Sequence, residues 1–187
     1  MNRLSAITIS TFLMALPVST LHAADLASNQ AAAKRAQTTL QQINIEIKEI
    51  ADTSFQMSMQ SREPDNTKVQ GVELNHLSEE INRVGGELKA LNSERELLSA
   101  WQTELIDAIL PSMHEIAGES TDVISLYNRS QAQLFASNYP AKTGQIATDA
   151  KKTATFLSDD LKLENARAKE AHFADLAGRE APETLGQ

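Results

Sequence analysis

The chain has 187 residues, a formal net charge of −8, no cysteine, one Trp, 4% aromatic residues, and only 7 Gly and 5 Pro. Length of this order corresponds to about one domain per ~150 residues. The absence of cysteine excludes disulfides, thiolate metal sites, iron–sulfur clusters and thiol nucleophiles. The acidic balance argues against a phosphate-neutralising nucleic-acid surface, and so few turn residues argue against a many-turned β-sandwich.

The first element is a leader. Arg3 supplies a positive start, Leu4 to Leu16 is mostly apolar, and Pro17 precedes a short polar run ending at Leu21-His22-Ala23. This three-part pattern predicts a secretory signal peptide over 1–23, cut after Ala23. The apolar run is shorter than the ~20 residues a bilayer-spanning helix needs, and no later stretch is more apolar, so no stable membrane insertion is expected once the leader is removed. Arg3 is the only charge in that stretch, so its removal makes the net charge one unit more negative. A cysteine-free exported chain relies on helix packing and fits a Gram-negative periplasm.

Asp25 to Ser61 contains no Pro or Gly and reads as one long helix. Leu40, Ile43, Ile47, Ile50 and Met57 recur at steps of three and four, a coiled-coil seam that Ser54 interrupts. Arg62-Glu63-Pro64-Asp65-Asn66 then reads as a tight reversal, because Pro64 disfavours helix at Glu63. A second seam follows at Leu74, Leu77, Ile81, Val84, Leu88 and Leu91. Its phase is unbroken across Gly85-Gly86, which predicts a continuous or gently kinked helix there, with close packing against another backbone as one reason for the glycines.

Two such stripes joined by a short turn predict an antiparallel helical hairpin. The stripe broadens at Leu97, Leu98, Trp101, Leu105, Ile106, Ile109 and Leu110, which implies a third element, and Trp101 reads as core at that junction. Pro111 is expected to kink or end the helix. Helical spacing resumes over Met113, Ile116, Val123, Ile124, Tyr127, Leu134 and Phe135, and Asn138-Tyr139-Pro140 closes that segment. A last helix is expected from Thr143 or Gly144, packing through Ile146, Ala150, Leu157, Leu161, Ala168 and Phe173. From Gly178 the composition reads as a tail, 178–187. The expected fold class is therefore all-α: a long antiparallel coiled-coil-like hairpin extended into a three- or four-helix bundle over 24–177.

Chemistry-bearing motifs are sparse. His76, Glu79 and Glu80 share a helix face at spacings suited to a divalent cation, but structural zinc needs four ligands and catalytic zinc three plus water. The seam residues around them place these charges on a solvated face. Met57 and Met59 offer thioethers to a soft metal, and His114 an imidazole, although Met57 falls on the seam, where Met commonly fills gaps. No nucleophile elbow, dinucleotide fingerprint or phosphate loop is present, so neither catalysis nor a cofactor is expected. Arg62, Glu63, Pro64, Asp65 and Asn66 at the hairpin tip, and Trp101 if it is exposed, are the candidate contacts for another protein.

Three functions compete on these grounds. The favoured one is an exported, non-enzymatic helical scaffold that binds a protein partner through its helix faces or tip. The second is a periplasmic chaperone or secretion-apparatus subunit, an analogy of architecture alone. The third is a metal- or haem-binding bundle. A monomer and a homo-oligomer both suit the seams.

Overall fold

The structure is a computed structural model and describes residues 19–63, 67–130, 134 and 136–179. The described residues form four helices: α1 (Ser19–Gln60), α2 (Thr67–Ser93), α3 (Ala100–Ser130) and α4 (Tyr139–Arg179). A single 3-10 turn, Arg95–Leu97, lies between α2 and α3. The all-α bundle expected from the apolar periodicity is the fold. The predicted leader falls outside the described residues as far as position 18, and Ser19 to Ala23 continue the helix of α1. Of the tail from Gly178, only Gly178 and Arg179 are described, and both are helical.

Cross-helix bonds fix the directions. Ser58 Oγ near the end of α1 donates to the Pro140 carbonyl near the start of α4 at 2.8 Å. Toward the other end, Gln37 Nε2 donates to Asn165 Oδ1 at 2.8 Å. These two helices therefore run antiparallel. Glu46 and Arg83 link α1 to α2 at 2.9 Å, Asp122 and Lys142 link α3 to α4 at 2.7 Å, and Tyr127 of α3 overlies Gly71 of α2. The result is an up-down-up-down bundle in which each helix packs on its two chain or spatial neighbours and α1 and α3 scarcely touch. The partner that α1 packs against most extensively is α4, the helix farthest from it in sequence.

The core is the sum of the apolar stripes. Leu40, Ile43, Ile47, Ile50 and Met57 of α1 are fully buried, as are Leu77 and Val84 of α2, Ile109 and Ile116 of α3, and Ile146, Ala150 and Leu157 of α4. Burying one such large aliphatic side chain contributes about 1.5–3 kcal/mol. Trp101 is half-buried and packs on this core with Leu98 and Leu110. That is the junction role expected of it.

Four local expectations are corrected. The long second helix ends at Ser93 and not at Pro111, which lies inside α3. Had the seam continued, its phase would have carried the Arg95 guanidinium into the interface. The chain instead turns there and exposes Arg95, which holds both carboxylate oxygens of Asp107, one of them at 2.7 Å. The restart of the helix is written in Ser99-Ala100-Trp101-Gln102, a capping-box sequence of which one half is formed: the Gln102 side chain accepts from the Ser99 amide at 3.0 Å, while Ser99 Oγ has no hydrogen-bond partner among the described atoms. Pro111 is exposed, so the carbonyl it leaves unbonded can face water while the apolar phase continues through Met113 and Ile116.

The second correction concerns Gly85 and Gly86. The helix does continue through them, but both are exposed and a Cβ at either would meet nothing within 4 Å, so close packing is not their reason. The close approaches are at Gly71, where a Cβ would strike the Tyr127 hydroxyl, and at Gly144, where it would lie 3.2 Å from Ser58 Oγ.

Third, the last helix begins at Tyr139, not at Thr143 or Gly144. Pro140 opens it because the first turn has no helical acceptor for the missing amide. The Tyr139 amide donates to Ser137 Oγ at 3.1 Å and the Lys142 amide to the Asn138 carbonyl at 3.0 Å.

Fourth, Ala168 and Phe173 are not packed. Every side chain from Ala166 to Gly178 is exposed, because α2 and α3 stop short and leave the end of α4 without a second neighbour.

With 42 residues, α1 extends about 63 Å. Small-angle scattering of the chain should therefore give a maximum dimension of at least about 60 Å, and a value near that of a compact sphere contradicts the bundle described. Ile47→Ala should cost about 2–5 kcal/mol in urea unfolding. By contrast, Leu163→Ala, at a half-exposed side chain on α4, should stay within about 0.5 kcal/mol of the parent.

Candidate functional site

The outer surface between α1 and α4 forms a groove of about 770 Å³. Its floor consists of small side chains: Ala51 and Ser58 from α1, and Gly144, Ala147 and Ala154 from α4. The sequence produces this floor because α4 carries Ala or Gly wherever its stripe turns toward α1, so the helices approach closely and leave a shallow channel above their line of contact. Ser58 sits in that line, donating to the Pro140 carbonyl.

The walls come from the outward face of α1, where Lys48, Asp52, Phe55, Met59 and Arg62 succeed one another at steps of three and four, and from Thr148, Lys151 and Thr155 of α4. Phe55 is 54% exposed and Met59 49%. Phe156, also exposed, lies just outside, in a shallower recess that shares Thr148, Lys151 and Thr155. Two large apolar side chains thus stand in water beside an Ala-rich floor. Arranged along them are three cations and one carboxylate, on a chain whose net charge is −8. Lys48, Arg62 and Lys151 make no ion pair among the described residues, and neither do Lys34, Arg35, Lys68 and Lys89 elsewhere on the surface, whereas Arg83, Arg95, Lys142, Lys152, Lys162 and Arg167 do.

Two of the sequence candidates meet here. Arg62, expected at the tip, closes one end of the groove, and Met59 lines its wall. Glu63 is exposed in the turn after α1. Pro64, Asp65 and Asn66 lie outside the described residues. Trp101 packs, partly buried, on the core at the opposite end of the bundle. Phe55 and the Ala floor were not singled out by sequence reasoning, although the outward repeat of Lys48, Asp52, Phe55, Met59 and Arg62 was present to be read.

The metal candidates are dispersed. Met57 is buried in the core and Met59 is on the groove; His114 stands exposed on α3 and Glu79 exposed on α2. His76 Nδ1 does approach Glu80 Oε1 at 3.3 Å. Glu80 is not on a solvated face, however: its side chain is 4% exposed, and Oε2 has no hydrogen-bond partner among the described atoms. Burial pushes its carboxyl above the usual range and nearby Glu49 adds to the shift, while His76, Arg83 and a Thr53 hydrogen bond oppose it.

Glu80 belongs to a polar seam between α1 and α2. Arg83 bonds the buried Glu46 at 2.9 Å and reaches Glu49 at 3.9 Å. Glu87, half-buried, is likewise raised, first by burial and then by Glu46. One guanidinium therefore serves four carboxylates.

A second acidic cluster joins α3 to α4, where ligand oxygens of Glu115, Glu119 and Asp149 lie within 4.8 Å of one another. Both Asp149 oxygens are already engaged, by Gln145 at 2.6 Å and Lys152 at 3.0 Å. Glu119 is raised by burial and by its acidic neighbours, against the pull of Lys142.

No described helix is long and apolar enough to cross a membrane. No family model, curated protein or solved structure matches the chain.

The raised carboxyls have a defined consequence for stability. A glutamate whose folded-state pKa exceeds its unfolded value, about 4.3, binds a proton more readily when folded. It therefore destabilises the fold at neutral pH, and that penalty is relieved as pH falls through the raised value toward the unfolded one. Glu80→Gln should raise the melting temperature at pH 7 and reduce the gain in stability between pH 7 and about pH 5. A variant less stable than the parent at pH 7, with an unchanged pH profile, contradicts the assignment.

Proposed function

We propose that this chain is an exported, non-enzymatic helical interaction protein that holds a protein partner in the groove between α1 and α4. The observation that carries the reading is the exposure of Phe55 and Met59 beside a floor of Ala and Gly. Folded chains scatter single apolar residues over their surfaces, but a continuous apolar recess rimmed by charge is the form that protein-binding surfaces take. The core beneath is filled by packed aliphatic side chains, and the groove lining contains neither histidine nor a paired nucleophile and base. Binding by shape and charge is the chemistry such a lining supports.

Export rests on the pattern of Arg3, the apolar run from Leu4 to Leu16, and Ala23. It agrees with a chain that has no cysteine to oxidise. Periplasm is the compartment these features favour.

Two measurements test the reading. Intact mass of the protein from the periplasmic fraction should correspond to a chain beginning at Ala24; a full-length chain retained in the cytosol contradicts export. A photo-cross-linking residue at Phe55 should yield a discrete protein adduct in the native host. That adduct should be lost when Thr148→Trp, at an exposed wall position, fills the groove. An adduct unaffected by Thr148→Trp, or none from Phe55, contradicts docking there.

A further inference from the structure

Resting on the reading of the groove as a protein-docking surface, we infer that its occupant is one amphipathic helix of a partner protein, with acidic side chains flanking a narrow stripe of small and aliphatic residues. Three observations carry this.

The floor comes first. Ala51, Ala147 and Ala154 are nearly fully buried and Gly144 carries no side chain, so a third helix can rest close to the backbones of α1 and α4. Small residues are what permit helix surfaces to approach at short interaxial distances. A broad or bulky stripe would not seat, whereas Ala and Leu at steps of three and four would meet Phe55 and Met59 from above.

Length is the second. The lining runs from Lys48 to Met59 along α1, about 17 Å of helix, and on to Arg62 in the turn that follows. This matches an occupant of about four turns.

Charge is the third. Lys48, Arg62 and Lys151 are exposed, lack ion-pair partners among the described residues, and face one carboxylate, Asp52. A chain of net charge −8 repels acidic partners over most of its surface. In the groove three cations against one carboxylate attract an acidic helix that also fits the floor, so charge sets the register of docking and rejects basic helices.

The probe is a fluorescent synthetic helix of about 14 residues with Ala and Leu on one stripe and Glu on both flanks, compared with the same peptide carrying Lys in place of Glu. The Glu peptide should bind the intact chain, and more weakly as salt is raised. Its affinity should fall at least about tenfold in the Lys48→Glu, Lys151→Glu variant, with unchanged helicity by circular dichroism. Equal binding of the two peptides, preference for the Lys peptide, or binding of neither overturns the inference.

The adduct from Phe55 separates this inference from the docking reading beneath it. Adduct formation that survives combined Lys48→Glu, Arg62→Glu and Lys151→Glu leaves docking in place and overturns the acidic helix. Loss of the adduct under that charge reversal supports it. An adduct of twice the chain's own mass identifies a second copy as occupant and overturns it too.

Discussion

The structure depends on covering the apolar stripe of α1. Leu40, Ile43, Ile47, Ile50 and Met57 are fully buried, and a single adjacent helix covers only part of the circumference on which they lie. The hairpin partner α2 takes one flank and α4 takes the other. Because α4 follows α3 in an antiparallel course, closing the second flank of α1 brings the first and last described helices side by side. The longest-range contact in the molecule is thereby also its most extensive.

The groove is a by-product of that closure. To pack closely on α1, α4 presents Gly144, Ala147, Ala150 and Ala154, and small side chains leave their outer edge low. The residues of α1 just beyond the contact line, Phe55 and Met59, then stand above a shallow floor with no third helix over them. The same length mismatch that leaves Phe173 and Leu176 exposed at one end of α4 has no bearing on the groove at the other, where all four helices are present.

Acidity is accommodated at some expense in stability. Glu46 and Glu80 are buried on the α1–α2 seam with one unpartnered oxygen each, and Arg83 is the main cation between them. Such a seam contributes less than aliphatic packing would. It does specify which faces of α1 and α2 meet, since sliding either helix would separate Glu46 from Arg83. Ser54, buried without a hydrogen-bond partner, acts in the same sense by interrupting an otherwise uniform apolar row.

Periodicity alone determined the fold class, the buried stripes of α1 and α2 and much of those of α3 and α4, the continuity through Gly85-Gly86 and the packing of Trp101 on the core, because local spacing dictates which side chains share a face. The break at Ser93 was legible too, in the capping-box sequence from Ser99 to Gln102, but the unbroken phase from Leu91 to Leu98 concealed it. Pro111 misled in the opposite direction, since its cost depends on whether the freed carbonyl reaches water. Only tertiary structure decided that α4 and not α2 is the principal partner of α1. It also decided that Glu80 is buried while Ala168 and Phe173 are bare, and that Lys48, Phe55, Met59 and Arg62 stand opposite Gly144, Ala147 and Lys151. The groove joins residues about ninety positions apart, and the burial of Glu80 depends on residues of another helix. No spacing within one helix encodes which other helix closes over it.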